Sequence, residues 1–160
     1  MSLAEKLYKT LLAQNIKLAT AESCTGGMAA AAVTDIAGSS SVFERGFVTY
    51  SNEAKTEMLG VPADLIVKLG AVSREVAIAM ATGALDNSNA CISVAITGIA
   101  GPAGGSAEKP VGLVHFAVAR HGKTTIHNVQ KFGSLSRAEI REKATAHALT
   151  MVLTQLGVEP

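Results

Sequence analysis

A chain of 160 residues is the size of one compact domain and can bury a core without disulfides or metals. Hydrophobic residues make up 48% and charged residues only 17%, the reverse of the balance that keeps a chain disordered. Lys and Arg total 14 against 13 Asp and Glu, and the resulting +1 offers no electrostatic footprint for a nucleic-acid partner.

Residues 3–14 place Leu3, Leu7, Leu11 and Leu12 on one helical face, and Asn15 ends that helix. This opening reads as an amphipathic helix and not as a signal peptide. No apolar run approaches the roughly 20 residues of a membrane span, so no membrane partner is expected and the cytoplasm is the expected location. Residues 16–21 read as a short strand, and Ser23 to Gly27 as a turn. The Ala-rich stretch that follows predicts a buried helix from near Thr25 to Gly38.

Residues 43–50 predict a strand entering the Ser51-Asn52 loop, with a short helix from Glu53 to Leu59. Pro62 suits the first turn of another short helix ending at Gly70. Ser73 is an N-cap for a helix from Arg74 to about Leu85. Residues 90–97 are nearly all apolar and predict a central strand buried on both faces. A Gly/Pro-rich loop spans 98–110, and strands at 111–119 and 124–132 flank a hairpin turn at His121-Gly122-Lys123. Ser136 and Glu139 form a capping box for a last helix running to about Leu156. This order predicts a single three-layer α/β/α domain over residues 1–160 with a mixed sheet. The many alanines favour close helix packing and a homo-oligomer. Cys24 and Cys91 lack metal or redox spacing and read as buried free thiols.

Three segments carry the polar and glycine residues from which a ligand site is built: 20–27 (TAESCTGG), 37–55 and 97–105 (TGIAGPAGG). Loops at the carboxyl ends of strands are where α/β folds bind ligands, so the three together predict one shared pocket. Thr25 and Gly26 would lie at a helix N-terminus, where free N–H groups favour an anion; a tight packing turn is the competing reading. Cys24 beside them reads as a buried thiol before it reads as a nucleophile. The middle segment offers Ser39, Ser40 and Ser41 with Tyr50 and Lys55. A serine and a desolvated lysine can transfer acyl groups without metal or histidine, but serine-rich turns and solvated lysines are common. His115, His121, His127 and His147 form no HxH, HExxH or Cys/His cluster, so no metal and no cofactor is expected. Arg137, beside the Ser136 cap, suits a phosphate or an ordinary surface position.

Taken together, TAESCTGG, DIAGSSSVFERGFVTYSNEAK, GAVS, ITGIAGPAGG and EKPVGLVHFA resemble, in order, the C-terminal domain family of the competence/damage-inducible protein CinA. The closest resemblance is to its stand-alone members, the nicotinamide-nucleotide amidases. The resemblance implies an α/β/α amidohydrolase converting nicotinamide mononucleotide to nicotinate mononucleotide and ammonia in pyridine-nucleotide salvage. It implies Ser40 as nucleophile, with Ser39 as the alternative in a turn of three serines, and Tyr50 and Lys55 as its activators. It further implies Thr97 and Arg137 as substrate contacts; Thr25 and Gly26 at the helix N-terminus and Gly98, Gly101 and Gly104 of the Gly-rich loop are the candidates for backbone around the ligand. A non-catalytic nucleotide-binding or interaction module of the same type is the alternative function.

Overall fold

The computed structural model describes residues 1–160. Helix α1 spans Leu3–Gln14. Ser2 and Glu5 form a reciprocal capping box at its start, and Asn15 closes it in the left-handed conformation. Strand β1 (Leu18–Glu22) follows, then α2 (Met28–Thr34), a 3-10 turn at Ser39–Ser41, and β2 (Phe43–Val48). Three helices come next: α3 (Asn52–Leu59), α4 (Ala63–Leu69) and α5 (Arg74–Asp86). Strands β3 (Ile92–Gly98), β4 (Leu113–Arg120) and β5 (Ile126–Lys131) complete the sheet before α6 (Arg137–Gln155).

The five strands lie in the order β2-β1-β3-β4-β5. β1 runs parallel to both β2 and β3, whereas β4 is antiparallel to β3 and to β5. The sheet is mixed, as expected, with the hairpin where the His121-Gly122 turn implies it. β1, β2 and β3 therefore end at the same edge of the sheet, and the segments that follow them meet there.

The two faces of the sheet carry side chains of different size because alternate residues point to opposite faces. Leu18, Ile92, Val94, Ile96, Val114, Phe116 and Val118 join α1, α2 and α6 in one core. Ala21, Ala95, Ala117 and Ala119 face the other way, against Ala77, Ala81 and Ala84 of α5. Small residues on both partners bring α5 close to the sheet, with α3 and α4 packed around it. Burial of each large aliphatic side chain in the first core contributes about 1.5–3 kcal/mol.

Several boundaries differ from expectation. The helix predicted from Thr25 to Gly38 is shorter, because Gly27 (φ 109°) and Gly38 (φ 87°) hold the left-handed conformation at either side of it. The strand predicted over 43–50 ends at Val48; Thr49 and Tyr50 turn their carbonyls toward Lys55. Of the two thiols expected to be buried, Cys24 is buried and Cys91 is exposed.

Candidate active site

The segments after β1, β2 and β3 border a cavity of about 270 Å³ with α3 and the start of α6. Ser23, Cys24, Tyr50, Lys55, Thr97 and Arg137 are among its lining residues. Lys55 is the side chain that fold logic explains least. It sits one turn into α3, whose N-cap Ser51 accepts from Ala54 N–H. Lys55 and Leu59, spaced i and i+4, are the buried residues of this helix. A core-facing position has thus been given to an amine, which is only 1% exposed.

Nothing neutralises that amine. The protein's ion pair, Glu44–Arg45, lies elsewhere on the surface, and no carboxylate reaches Lys55. Its Nζ instead lies 2.9 Å from Thr49 O, 3.5 Å from Tyr50 O and Ser51 O, and 3.1 Å from Ser23 Oγ. Burial pushes its pKa below the ordinary lysine value, against smaller opposing contributions from Cys24 and Glu53. A neutral amine has two N–H donors and one lone pair. In this structure Nζ donates to Ser23 Oγ; in the neutral form its lone pair would lie 3.1 Å from the same hydroxyl.

Ser23 is itself buried, and its N–H donates to Ile96 O, so β3 fixes its position. Cys24, next to it, is no competing nucleophile: burial pushes its thiol up to about 11. None of the four histidines lines the cavity. His115 and His127 pair with each other at 2.9 Å on the neighbouring strands.

The serine implied by the resemblance is not in this cavity. Ser40 is exposed in the 3-10 turn that precedes β2, whereas Tyr50 and Lys55 follow that strand. Six residues of strand separate the two ends by roughly 20 Å. Ser39, the alternative, is buried and aims its hydroxyl at Thr34 O. The serine within hydrogen-bond reach of Lys55 is Ser23, and a base must lie within such reach of the proton it takes. The signal for Ser23 was its place at the carboxyl end of a strand parallel and adjacent to β2; in sequence it stands 32 residues from Lys55.

Tyr50 is at the mouth, 60% exposed, but its hydroxyl does not reach Lys55. It accepts from Arg137 Nη2 at 2.9 Å, while Arg137 Nη1 donates to Gly101 O at 2.8 Å. The guanidinium has no carboxylate partner. Thr97, Gly98, Gly101 and Gly104 line the cavity as expected, with the Thr97 hydroxyl donating to Ala71 O.

Thr25 and Gly26 differ from expectation: neither lines the cavity. The anion foreseen at the N-terminus of α2 is the chain's own Glu22. Its carboxylate accepts the Thr25 hydroxyl at 2.7 Å and the N–H groups of Ala29 and Ala30 at 2.8 and 3.1 Å. With Met28 N–H on Thr25 O, the N–H groups of the first turn of α2 are already taken.

The model of the CinA C-terminal domain matches residues 1–156. The nicotinamide-nucleotide amidohydrolase PncC of Escherichia coli strain K12 is 50% identical over 155 residues, covering 97% of this chain and 93% of PncC. A CinA-like protein of Akkermansia muciniphila is 46% identical over 159 residues, and the match takes up 38% of that longer protein. The crystal structure of the competence/damage inducible protein CihA from Agrobacterium tumefaciens superposes with a TM-score of 0.94 at 49% identity, over 97% of this chain and 93% of that one. A CinA-superfamily protein from Escherichia coli superposes at 0.90 with 36% identity, over 96% and 88% of the two chains. Matched along nearly its whole length in sequence and in fold, this chain belongs to the CinA C-terminal domain family.

Proposed function

We propose that the protein is a nicotinamide-nucleotide amidohydrolase that releases ammonia from nicotinamide mononucleotide through a Ser23–Lys55 dyad. The observation that carries the reading is the uncompensated buried amine of Lys55, 3.1 Å from Ser23 Oγ, in a chain half identical to PncC. Burial shifts Lys55 toward the neutral form, which accepts a proton, more than solvent does an ordinary lysine.

Ser23 Oγ adds to the carboxamide carbon as its proton passes to Lys55 Nζ, and the carbonyl oxygen becomes an oxyanion. Collapse of this intermediate breaks the C–N bond, and the Lys55 ammonium returns the proton to the departing nitrogen, which leaves as ammonia. Water then adds to the Ser23 ester while giving its proton to Lys55. The second collapse breaks the ester C–O bond, Lys55 reprotonates Ser23 Oγ, and the acid leaves, losing its remaining proton to solvent as the carboxylate. The substrate's pyridinium charge opposes a second cation nearby and so favours neutral Lys55 at the moment of attack. Arg137, a guanidinium without a carboxylate, is the group for the substrate phosphate, with the Gly98–Gly104 loop alongside. In metabolism the reaction would serve pyridine-nucleotide salvage.

The test is incubation of the purified protein with nicotinamide mononucleotide, with ammonia and nicotinate mononucleotide measured together. Equimolar release of both by the wild type, lost in Ser23→Ala, is the expected result. Binding of the nucleotide without turnover would instead mark a non-catalytic module.

A further inference from the structure

The segments GAVS (70–73) and EKPVG (108–112) supply no group to the chemistry at Ser23, yet the fold brings them into contact. Lys109 Nζ donates to Leu69 O at 2.6 Å, across 40 residues of sequence. Lys109 has no carboxylate partner, so its ammonium is committed to a backbone carbonyl. Gly70 makes the approach possible: a Cβ there would stand 2.7 Å from Lys109 Nζ. Ser106 presents the lysine, because its N–H donates to Lys109 O at 2.8 Å and its hydroxyl accepts from Lys109 N–H at 3.0 Å.

Both sides of this contact continue into walls of the cavity. Ala71 and Val72 line it from the segment that leads into α5, and Gly101, Ala103 and Gly104 line it from the loop after β3. The first wall has support of its own: Thr97 Oγ1 donates to Ala71 O, and the Ser73 hydroxyl donates to Gly70 O at 2.9 Å. The second has little. Its loop closes at the base, where Ile99 N–H donates to Leu113 O at 2.9 Å and Gly112 N–H donates to Ile99 O at 2.8 Å. Beyond that base, residues 102–105 are exposed and make no hydrogen bond. Such a stretch is placed by what holds its flanks. One flank is Gly101, whose carbonyl accepts from Arg137 Nη1 at 2.8 Å. The other is the Ser106–Lys109 turn, which Lys109 fastens to Leu69 O. Arg137 lines the cavity and is the group for the substrate phosphate, so its hold on Gly101 competes with binding. Lys109 does not line the cavity, and its hold meets no such competition.

We propose that Lys109 is a positioning residue for substrate binding: it ties the loop after β3 to the Leu69–Ala71 segment and so sets the spacing of two walls that enclose the nucleotide. It touches neither the substrate nor the reacting atoms. The proposal rests on the reading of the substrate as a nucleotide that reaches from Ser23 to Arg137. Attack by Ser23 does not depend on the tie. Ser23 N–H is held by Ile96 O, and Lys55 Nζ by carbonyls of residues 49–51, none of which belongs to either wall.

The experiment compares wild type, Lys109→Met and Lys109→Arg in three measurements: kcat and KM for nicotinamide mononucleotide, the Kd of that nucleotide in a Ser23→Ala background, and acylation of Ser23 by p-nitrophenyl acetate, an ester too small to span both walls. A hydrogen bond from a charged donor carries about tenfold in a binding constant, so KM and Kd should rise about tenfold in Lys109→Met. The value of kcat and the rate with the ester should stay within about threefold. Lys109→Arg keeps a cationic donor and should bring KM and Kd back to within about threefold of wild type. Unchanged KM and Kd in a folded Lys109→Met protein overturn the proposal. An equal loss in the nucleotide and ester reactions overturns it too, because it marks general damage to the fold, and so does a Lys109→Arg protein that binds as weakly as Lys109→Met. Should Lys109→Met fail to fold, Lys109→Gln decides by the same criteria. If the wild type binds the nucleotide and leaves it intact, the functional reading fails and the Kd series still decides on Lys109. A wild type that neither binds nor turns over the nucleotide overturns both.

Discussion

The guanidinium of Arg137 and the phenol of Tyr50 meet at 2.9 Å across 87 residues of sequence. The pair closes one side of the cavity, because Arg137 also holds Gly101 O of the loop after β3. Helix α6 is tied in this way to two of the three segments that build the site. The Tyr50 hydroxyl partners Arg137, and its backbone carbonyl faces Lys55.

Tyr50→Phe should therefore raise KM and spare kcat. A proton relay would lose about 10²–10⁴-fold in turnover on removal of the hydroxyl. Loss of a hydrogen bond that holds a binding residue should raise KM about tenfold, equivalent to about 1.4 kcal/mol, with kcat changed less than about threefold. Arg137→Ala should raise KM further. Steady-state kinetics of both variants check this, and a collapse of kcat in Tyr50→Phe would return the tyrosine to the proton path.

Ser23→Ala should abolish turnover while Ser40→Ala leaves it within about threefold of wild type. Removing a nucleophile that works together with its base costs on the order of 10⁴–10⁶ in kcat. Ser40 is exposed at the opposite end of β2, and its truncation touches no part of the cavity. Trapping an acyl group by mass spectrometry and mapping it by peptide digestion would locate the attacking serine directly. An acyl group on the 39–41 turn is the result that defeats this assignment.

Much of this was legible in the sequence, and the part that was not has a physical cause. The capping residues, the helix periods and the apolar runs set the elements and the three-layer class, because each is a local signal. Lys55 stood out as one of two readings of its segment, and Thr97 and Arg137 came from the family resemblance; all three line the cavity. The serine beside Lys55 was not legible. Ser40 lies 15 residues before Lys55 and Ser23 lies 32 before it, but a strand carries the chain away from its start. Only the parallel pairing of β1 with β2 puts Ser23 beside Lys55. Likewise, Glu22 reads as a polar residue at a strand end, and nothing in its neighbours announces that it fills the α2 terminus in place of a ligand.

The acid limb of the pH profile should belong to Lys55. The neutral amine is the active form, so kcat/KM should rise about tenfold per pH unit until it levels off at the lysine's pKa. Burial lowers that pKa, so the plateau should arrive below the pH at which a solvated lysine loses its proton. The sign for stability follows from the same shift. Between the lowered pKa and the ordinary lysine value, the unfolded chain binds more protons than the folded one, so stability rises with pH across that window. Below it the folded state carries the full cost of the buried charge. Lys55→Met removes the group in both states and should flatten this rise while eliminating turnover. Urea titrations at a series of pH values, run beside the rate profile, measure both; a wild-type stability that does not rise across the window would refute a depressed Lys55.

Gly83→Ala tests how firmly the second core holds the helix that carries Lys55. In an exposed helix this change gains about 1 kcal/mol from propensity. Here Gly83 lies buried in α5 against the C-terminal end of α3, and an added Cβ would stand 1.9 Å from Leu59 O. The obstacle is backbone, which cannot rotate aside as a side chain can. Overpacking of this kind costs about 1–3 kcal/mol where neighbours can shift and more where they cannot, so it outweighs the propensity gain. The expected net loss is about 2 kcal/mol or more, read from the urea midpoint. Relief by movement of α3 would carry Lys55 with it, four residues before Leu59 on the same inner face. Turnover should then fall in the protein that remains folded, because a displacement of about 1 Å in a catalytic group can cost 10²-fold. A variant of wild-type stability and rate would mean that α3 and α5 are not in the close contact described.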